Sequence, residues 1–159
     1  MKEDPMIKSA RYQGPLPLDQ AKSMFVLTPL EDSRFTRDGP RSNVEYRDLG
    51  LAKASNGRIG ARHIRAIQPF SEPTGWHWHD MTGHFVYVLK GWVEFMFAGM
   101  SEPVRVVAGS CLSQPAGVAH NVTGQSDDLE LIEINTPADY VTAEASRKQL
   151  GPSDQSAHP

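Results

Sequence analysis

The sequence predicts an all-β fold, a barrel or sandwich, on three observations. Its apolar runs are short and rich in Val, Ile, Leu, Phe and Tyr, turn signals recur about every ten residues, and no window carries the sustained 3.6-residue apolar period of an amphipathic helix. A chain of 159 residues with 39% hydrophobic content can bury one sizeable core. The expected organisation is a loop-rich arm over residues 1–40, a β-barrel over 41–137 and a tail over 138–159.

Residues 1–20 hold Pro5, Gly14, Pro15 and Pro17 among scattered charges and offer little to bury, which describes a loose arm. Met24-Phe25-Val26-Leu27, closed by Thr28-Pro29, is short and β-prone and reads as an edge strand over 23–30 or as a segment exchanged onto a partner subunit. Asp38-Gly39-Pro40 marks a loop. Strands over 44–54 and 59–67 flank Ser55-Asn56-Gly57-Arg58, whose Asn-Gly pair suits the positive φ of a tight hairpin, so the two should pair. Further strands are expected over 75–79, 84–89, 92–98, 104–107, 111–114, 120–123 and 129–135. After Thr136-Pro137 the chain turns polar, with a short helix expected around 142–150 and disorder at the end.

Lys plus Arg (16) and Asp plus Glu (19) leave a net charge of -3, so no strong field draws in nucleic acid or anionic lipid. The single cysteine, Cys111, cannot form an internal disulfide, and Met1-Lys2-Glu3-Asp4-Pro5 lacks the apolar core of a signal peptide. The most apolar stretch, 85–100, is broken by Lys90, Gly91, Glu94 and Gly99 and falls short of the ~20 residues that span a bilayer. A soluble, cytoplasmic protein is expected.

Four of the six histidines, His77, His79, His84 and His120, lie within residues 69–120. Side chains alternate along a strand, so His77 and His79 share a face. Asp80-Met81-Thr82-Gly83 then reverses the chain and His84 opens the next strand, while His120 heads another strand after Pro115-Ala116-Gly117. In a sheet that curls into a barrel the four can converge on one ion. Imidazole ligands suit a divalent transition metal (Fe, Mn, Ni, Zn or Cu) and exclude the all-oxygen sites of Ca or Mg.

These residues resemble the two motifs of the cupin superfamily. The first motif's His-x-His, spacer, acid and Gly correspond to His77-Trp78-His79, four residues, His84, six residues and Gly91. The second corresponds to Gly109, five residues, Pro115-Ala116-Gly117, two residues and His120. The resemblance covers about residues 59–135 and implies a double-stranded β-helix, or jelly roll, with a metal ion inside. Ser71 stands where the opening Gly is usual, Gly124 where an Asn often follows the last His, and His84 where the family carries a Glu ligand.

The last departure changes the chemistry. Four neutral imidazoles leave the full charge of the ion in place and make it a stronger Lewis acid, but they remove the carboxylate that would serve as a base beside it. Metal hydroxide, Asp80, Tyr87 or the substrate would have to supply that base. A second arrangement is open: His77, His79 and His120 bind, and His84 stands behind them, similar to three-His cupin dioxygenases. The resemblance implies a small-molecule oxidoreductase of the dioxygenase kind. The alternatives are a non-redox lyase, isomerase or cyclase, and a non-catalytic binding or sensing barrel.

Other side chains keep plainer roles. His63 reads as a strand residue and His158 as tail. Trp76, Trp78, Phe85 and Tyr87 fall on the outward parity, with Val86 and Val88 inward; large outward aromatics suggest a homodimer contact. Cys111 is expected to be a small buried hydrophobe, and Phe95, Met96, Phe97 and Met100 barrel packing. Arg62 and Arg65 read as solvated strand residues before carboxylate binders.

Overall fold

The structure is a computed structural model that describes residues 25–146 together with Gly14, Pro15, Pro17, Leu18, Lys148 and Leu150. Its strands are β1 (Val44–Asp48), β2 (Gly60–Ala66), β3 (His77–His79), β4 (Gly83–Lys90) and β5 (Trp92–Phe97). They continue as β6 (Val104–Val107), β7 (Cys111–Gln114), β8 (His120–Gln125), β9 (Glu130–Thr136) and β10 (Thr142–Glu144). One helical turn, α1 (Leu51–Ala54), lies between β1 and β2. Two antiparallel five-stranded sheets result, ordered β1-β2-β9-β4-β7 and β10-β3-β8-β5-β6, the jelly-roll arrangement expected.

Period-two burial packs the sheets. On β4, Val86 and Val88 are buried while Phe85, Tyr87 and Leu89 are exposed. On β5, Val93, Phe95 and Phe97 point in. With Leu129, Leu131 and Val122 these form one core cluster, each full burial of such a side chain being worth about 1.5–3 kcal/mol. The motif glycine Gly91 turns β4 into β5 at φ 69°, and a Cβ there would lie 2.0 Å from Ser126 Oγ. Gly124, at the other variant motif position, lies under Trp92: a Cβ would come within 3.2 Å of the indole.

Several expectations need correction. β1 pairs with β2 as predicted, but it ends at Asp48, not at 54. Asp48 Oδ1 accepts the Gly50 N–H at 2.9 Å, Gly50 takes φ 77°, and Leu51-Ala52-Lys53-Ala54 contains good helix formers and no β-branched residue. Asn56 and Gly57 do adopt positive φ, 53° and 79°, in a wider loop than a two-residue hairpin.

Residues 25–29 form no strand, and Phe25 and Leu27 are exposed. Arg47 nevertheless ties this segment to β1 by donating to Thr28 O at 3.1 Å and to Ser33 Oγ at 2.5 Å. Residues 142–144 are extended rather than helical, because the β-branched Thr142 and its neighbours find a partner in β3. The expected disorder at the end, His158 included, lies outside the described residues.

Cys111 is exposed, since its cross-strand partner is Tyr87 on the outward row of β4. Met100 is likewise 44% exposed, lying beyond the end of β5. Trp76 is buried against Ala119 and Leu150 of this same chain. No helix among the described residues is long and apolar enough to cross a membrane.

Candidate metal centre

β3 is three residues long and carries a histidine at each end, so both rings project from one face. β8 begins with His120, which pairs directly with His77. One ring nitrogen from each of His77, His79 and His120 lies within 4.8 Å of the others. The ring centres are 4.5 Å apart for His77 and His120, 5.1 Å for His77 and His79, and 5.2 Å for His79 and His120.

The second nitrogen of each ring is already engaged. His77 Nδ1 donates to Gly75 O at 2.9 Å, and His120 Nδ1 donates to Val118 O at 3.1 Å. A carbonyl oxygen only accepts, so Nδ1 carries a proton in both rings, which leaves Nε2 as the atom that can bind an ion. His79 Nδ1 lies 2.8 Å from Thr142 Oγ1, the residue opposite it on β10. Anchoring of this kind fixes the tautomer and aim of metal-ligating histidines. Burial, followed by the charges of His84 and His77, lowers His79 to about 4. Burial likewise lowers His120 to about 3, against the raising effect of its Val118 bond. Both rings are therefore neutral near pH 7, the form that binds metal.

His84 is oriented differently. Its ring centre lies 5.4 Å from His79 and 6.0 Å from His120, and its Nε2 is 2.9 Å from Glu133 Oε1. Three of the four histidines thus share the close donor set among the described residues, and the fourth borders it while held by a carboxylate.

Glu133 is the residue that sequence reasoning missed. It lies two residues from each of the buried Leu131 and Asn135 on β9 and so shares their inward face. Burial pushes its carboxyl up. The His84 hydrogen bond, then the charges of His84, Arg62 and His79, outweigh that and hold it below the usual carboxylate range. The signal was available: an acid on the inward parity of an apolar strand is costly unless it is paired. The two side-chain bases considered from sequence are placed elsewhere, Asp80 Oδ1 accepting the Val141 N–H at 2.7 Å and Tyr87 facing outward.

A cavity of about 550 Å³ opens on this cluster, lined by all four histidines and Glu133. Its wall also includes Arg41, Tyr46, Arg62 and Tyr140. Burial, then the Glu133 charge, raises the Tyr140 hydroxyl to about 12, so it stays protonated. Its ring meets His79 at 5.3 Å. Arg62 is a cavity residue rather than a solvated one, directly opposite Glu133 in the β2–β9 register. Arg65 is outside, paired with Glu45 and lying over Phe35. His63 takes the plain role expected, 3.1 Å from Glu130.

A comparison with curated proteins gives no match. Among solved structures, the polyketide cyclase RemF from Streptomyces resistomycificus is similar over 79% of this chain and 89% of its own, with TM-score 0.61 and 18% identity. KdgF from Halomonas sp. is similar over 70% of this chain and 94% of its own, with TM-score 0.56 and 16% identity. The Clostridium difficile EutQ protein is similar over 74% and 90%, with TM-score 0.53 and 18% identity. At such identities the likeness is one of fold. The family model for the cupin domain matches residues 64–135, so that this segment, which holds the four histidines and Glu133, is similar to a cupin domain.

Proposed function

We propose that this protein is a metal-dependent enzyme that transforms a small organic molecule by proton transfer, in the manner of a lyase, isomerase or cyclase. The observation that carries this reading is the His84–Glu133 pair, 2.9 Å long, beside the three close histidines inside one cavity. His77, His79 and His120 fit a divalent transition ion by donor type, mutual distance and anchored Nδ1 atoms. Such an ion supplies Lewis acidity toward an oxygen of the bound molecule.

The chain's own groups then divide the remaining work. Glu133, ionised and inward, is placed to accept a proton, while His84 orients it and shares its charge. Tyr140 keeps its proton and can return one. Arg62, across from Glu133, favours the ionised carboxylate. In the four-His version of the centre, His84 instead releases Glu133 and becomes a ligand, which frees the carboxylate as the base.

The oxidoreductase reading uses the same triad with iron and dioxygen, and imidazole ligands are compatible with it. Deuterium uptake from solvent into a panel of small ketones and hydroxy acids, measured anaerobically by NMR on zinc- and nickel-loaded protein, separates the two. Exchange without oxygen is the expected result. Turnover confined to iron-loaded protein and matched by oxygen consumption would overturn it in favour of the dioxygenase, and tight ligand binding without turnover would favour a sensing barrel.

The protein is further read as a cytoplasmic homodimer. Exposed Phe25 and Leu27 and the outward row Phe85, Tyr87 and Leu89 support self-association, and sedimentation velocity measures it.

A further inference from the structure

The cavity holds more positive charge than its histidine centre requires. Arg41, in the loop before β1, lines it and is strongly desolvated, so that burial lowers its pKa from the usual guanidinium value. Its Nη2 donates to Gln125 Oε1 and its backbone N–H donates to Tyr46 Oη at 3.2 Å, but among the described residues its Nε has no hydrogen-bond partner. Arg62 lines the same cavity from β2, as Tyr140 does. Among the described residues, neither guanidinium forms an ion pair with a carboxylate.

The acids on the cavity wall are Glu72, Glu133 and Glu144. Glu72 and Glu144 are exposed, where solvent screens them. Glu133 alone of the three faces inward, and it is already held by His84. Two half-buried cations therefore face one committed carboxylate, before any charge from a metal ion is added. Burying a guanidinium is costly unless an anion accompanies it. The rest of the wall, with Phe70, Trp76 and Phe95, offers apolar cover for a flat organic skeleton.

We propose that the cavity takes a small organic anion whose carboxylate is held by Arg41, with Arg62 as the second cation, while its apolar body lies along Phe70 and Trp76. The planar fork of Arg41 matches a carboxylate, and an anion beside it offsets the cost of a guanidinium whose Nε is buried without a partner among the described residues. Seated there, the anion offsets the charge of both guanidiniums and lies in the same chamber as Glu133 and the three histidines. This inference names the substrate class for the proton-transfer reading above and rests on it.

The test uses benzoate and benzamide, equal in shape and different in charge, titrated into the full-length protein with and without zinc while tryptophan fluorescence is followed. Benzoate is expected to bind metal-free protein at least about tenfold more tightly than benzamide, the scale of one charge-assisted hydrogen bond. Arg41→Gln should remove that preference and leave benzamide affinity unchanged. Arg41→Lys should keep part of it, and Arg62→Gln should reduce it by a smaller factor. Circular dichroism and metal content check that each variant is folded. Equal binding of the two probes, binding of neither, or a preference that survives Arg41→Gln would overturn the proposal. Failure of the metal reading is separate, because it would show as absent zinc uptake while the benzoate preference persists.

Discussion

The two sheets meet the cavity with different chemistry. The sheet containing β3 and β8 presents His77, His79 and His120, each with one nitrogen anchored behind and the other facing the shared centre. The sheet containing β2, β4 and β9 presents Arg62, His84 and Glu133: His84 and Glu133 are hydrogen-bonded to each other, and the Arg62 charge opposite helps to keep the carboxyl ionised. On the proposed function, one wall gives lone pairs to an ion, and the other holds charge and moves a proton. A residue that is chemically identical on both walls, histidine, thus takes its role from its partner: a carbonyl behind it frees Nε2, and a carboxylate in front of it occupies Nε2.

The comparison breaks most completely at the first wall. His77→Ala removes a donor and vacates the position paired with His120, and bound metal and activity should both fall to background, measured by elemental analysis of protein purified without chelators. At the second wall, Glu133→Gln should leave metal content near that of the native protein while lowering turnover by about 10²–10⁴-fold, the usual range for a positioned acid–base group. Equal loss of metal in both variants would show that the walls are not separate in function. His84→Ala locates the boundary. A ligand's removal would empty the centre, whereas removal of a neighbour should weaken metal affinity only about 10–100-fold.

Much of the first wall was legible because its residues sit in local motifs. His77 and His79 are two apart on one strand, and the turn before His120 is punctuated by Pro115 and Gly117, so spacing alone carries the geometry. The strand boundaries from β3 to β9 were legible for the same reason, since alternation and turn residues are local. The second wall is assembled by cross-strand register: Arg62 meets Glu133 and Val86 meets Glu133 only once β2, β9 and β4 lie side by side. No local pattern encodes that neighbourhood. Parity could have turned Glu133 inward, but only the sheet order brings it to His84. The same lack of sheet order hid the pairing of β10 with β3 and the exposure of Cys111 opposite Tyr87.

Acid should act on the first wall through stability. His79 and His120 have folded-state values lowered to about 4 and about 3, below the ordinary 6.5 of an unfolded chain. Between those values the unfolded state binds more protons than the folded one, so the stability these groups permit is complete above about pH 6.5 and is lost as pH falls toward 4 and 3. Thermal unfolding of metal-free protein should show a midpoint that declines steadily over that window. The His120→Gln variant should decline less, and a midpoint independent of pH would contradict neutral burial of these rings.

The smallest effect sharpens the comparison most finely. Two of the three anchored histidines lean on backbone carbonyls, which no side-chain replacement can remove, but His79 leans on the hydroxyl of Thr142. Thr142 belongs to β10, which the sequence suggested would be helical, so this contact asks whether the strand added after the main barrel contributes to the centre or only covers it. Thr142→Val keeps the β-branched shape and the pairing with His79 while deleting the hydroxyl, so β10 should stay in place and only the aim of one ring should loosen. Metal affinity is then expected to weaken by about tenfold, the lower end of what an outer-shell partner contributes, with folding unchanged. Thr142→Ser restores the hydroxyl and should restore the affinity. If valine and serine bind metal equally well, the hydroxyl is not an anchor, and β10 contributes to the first wall by packing alone.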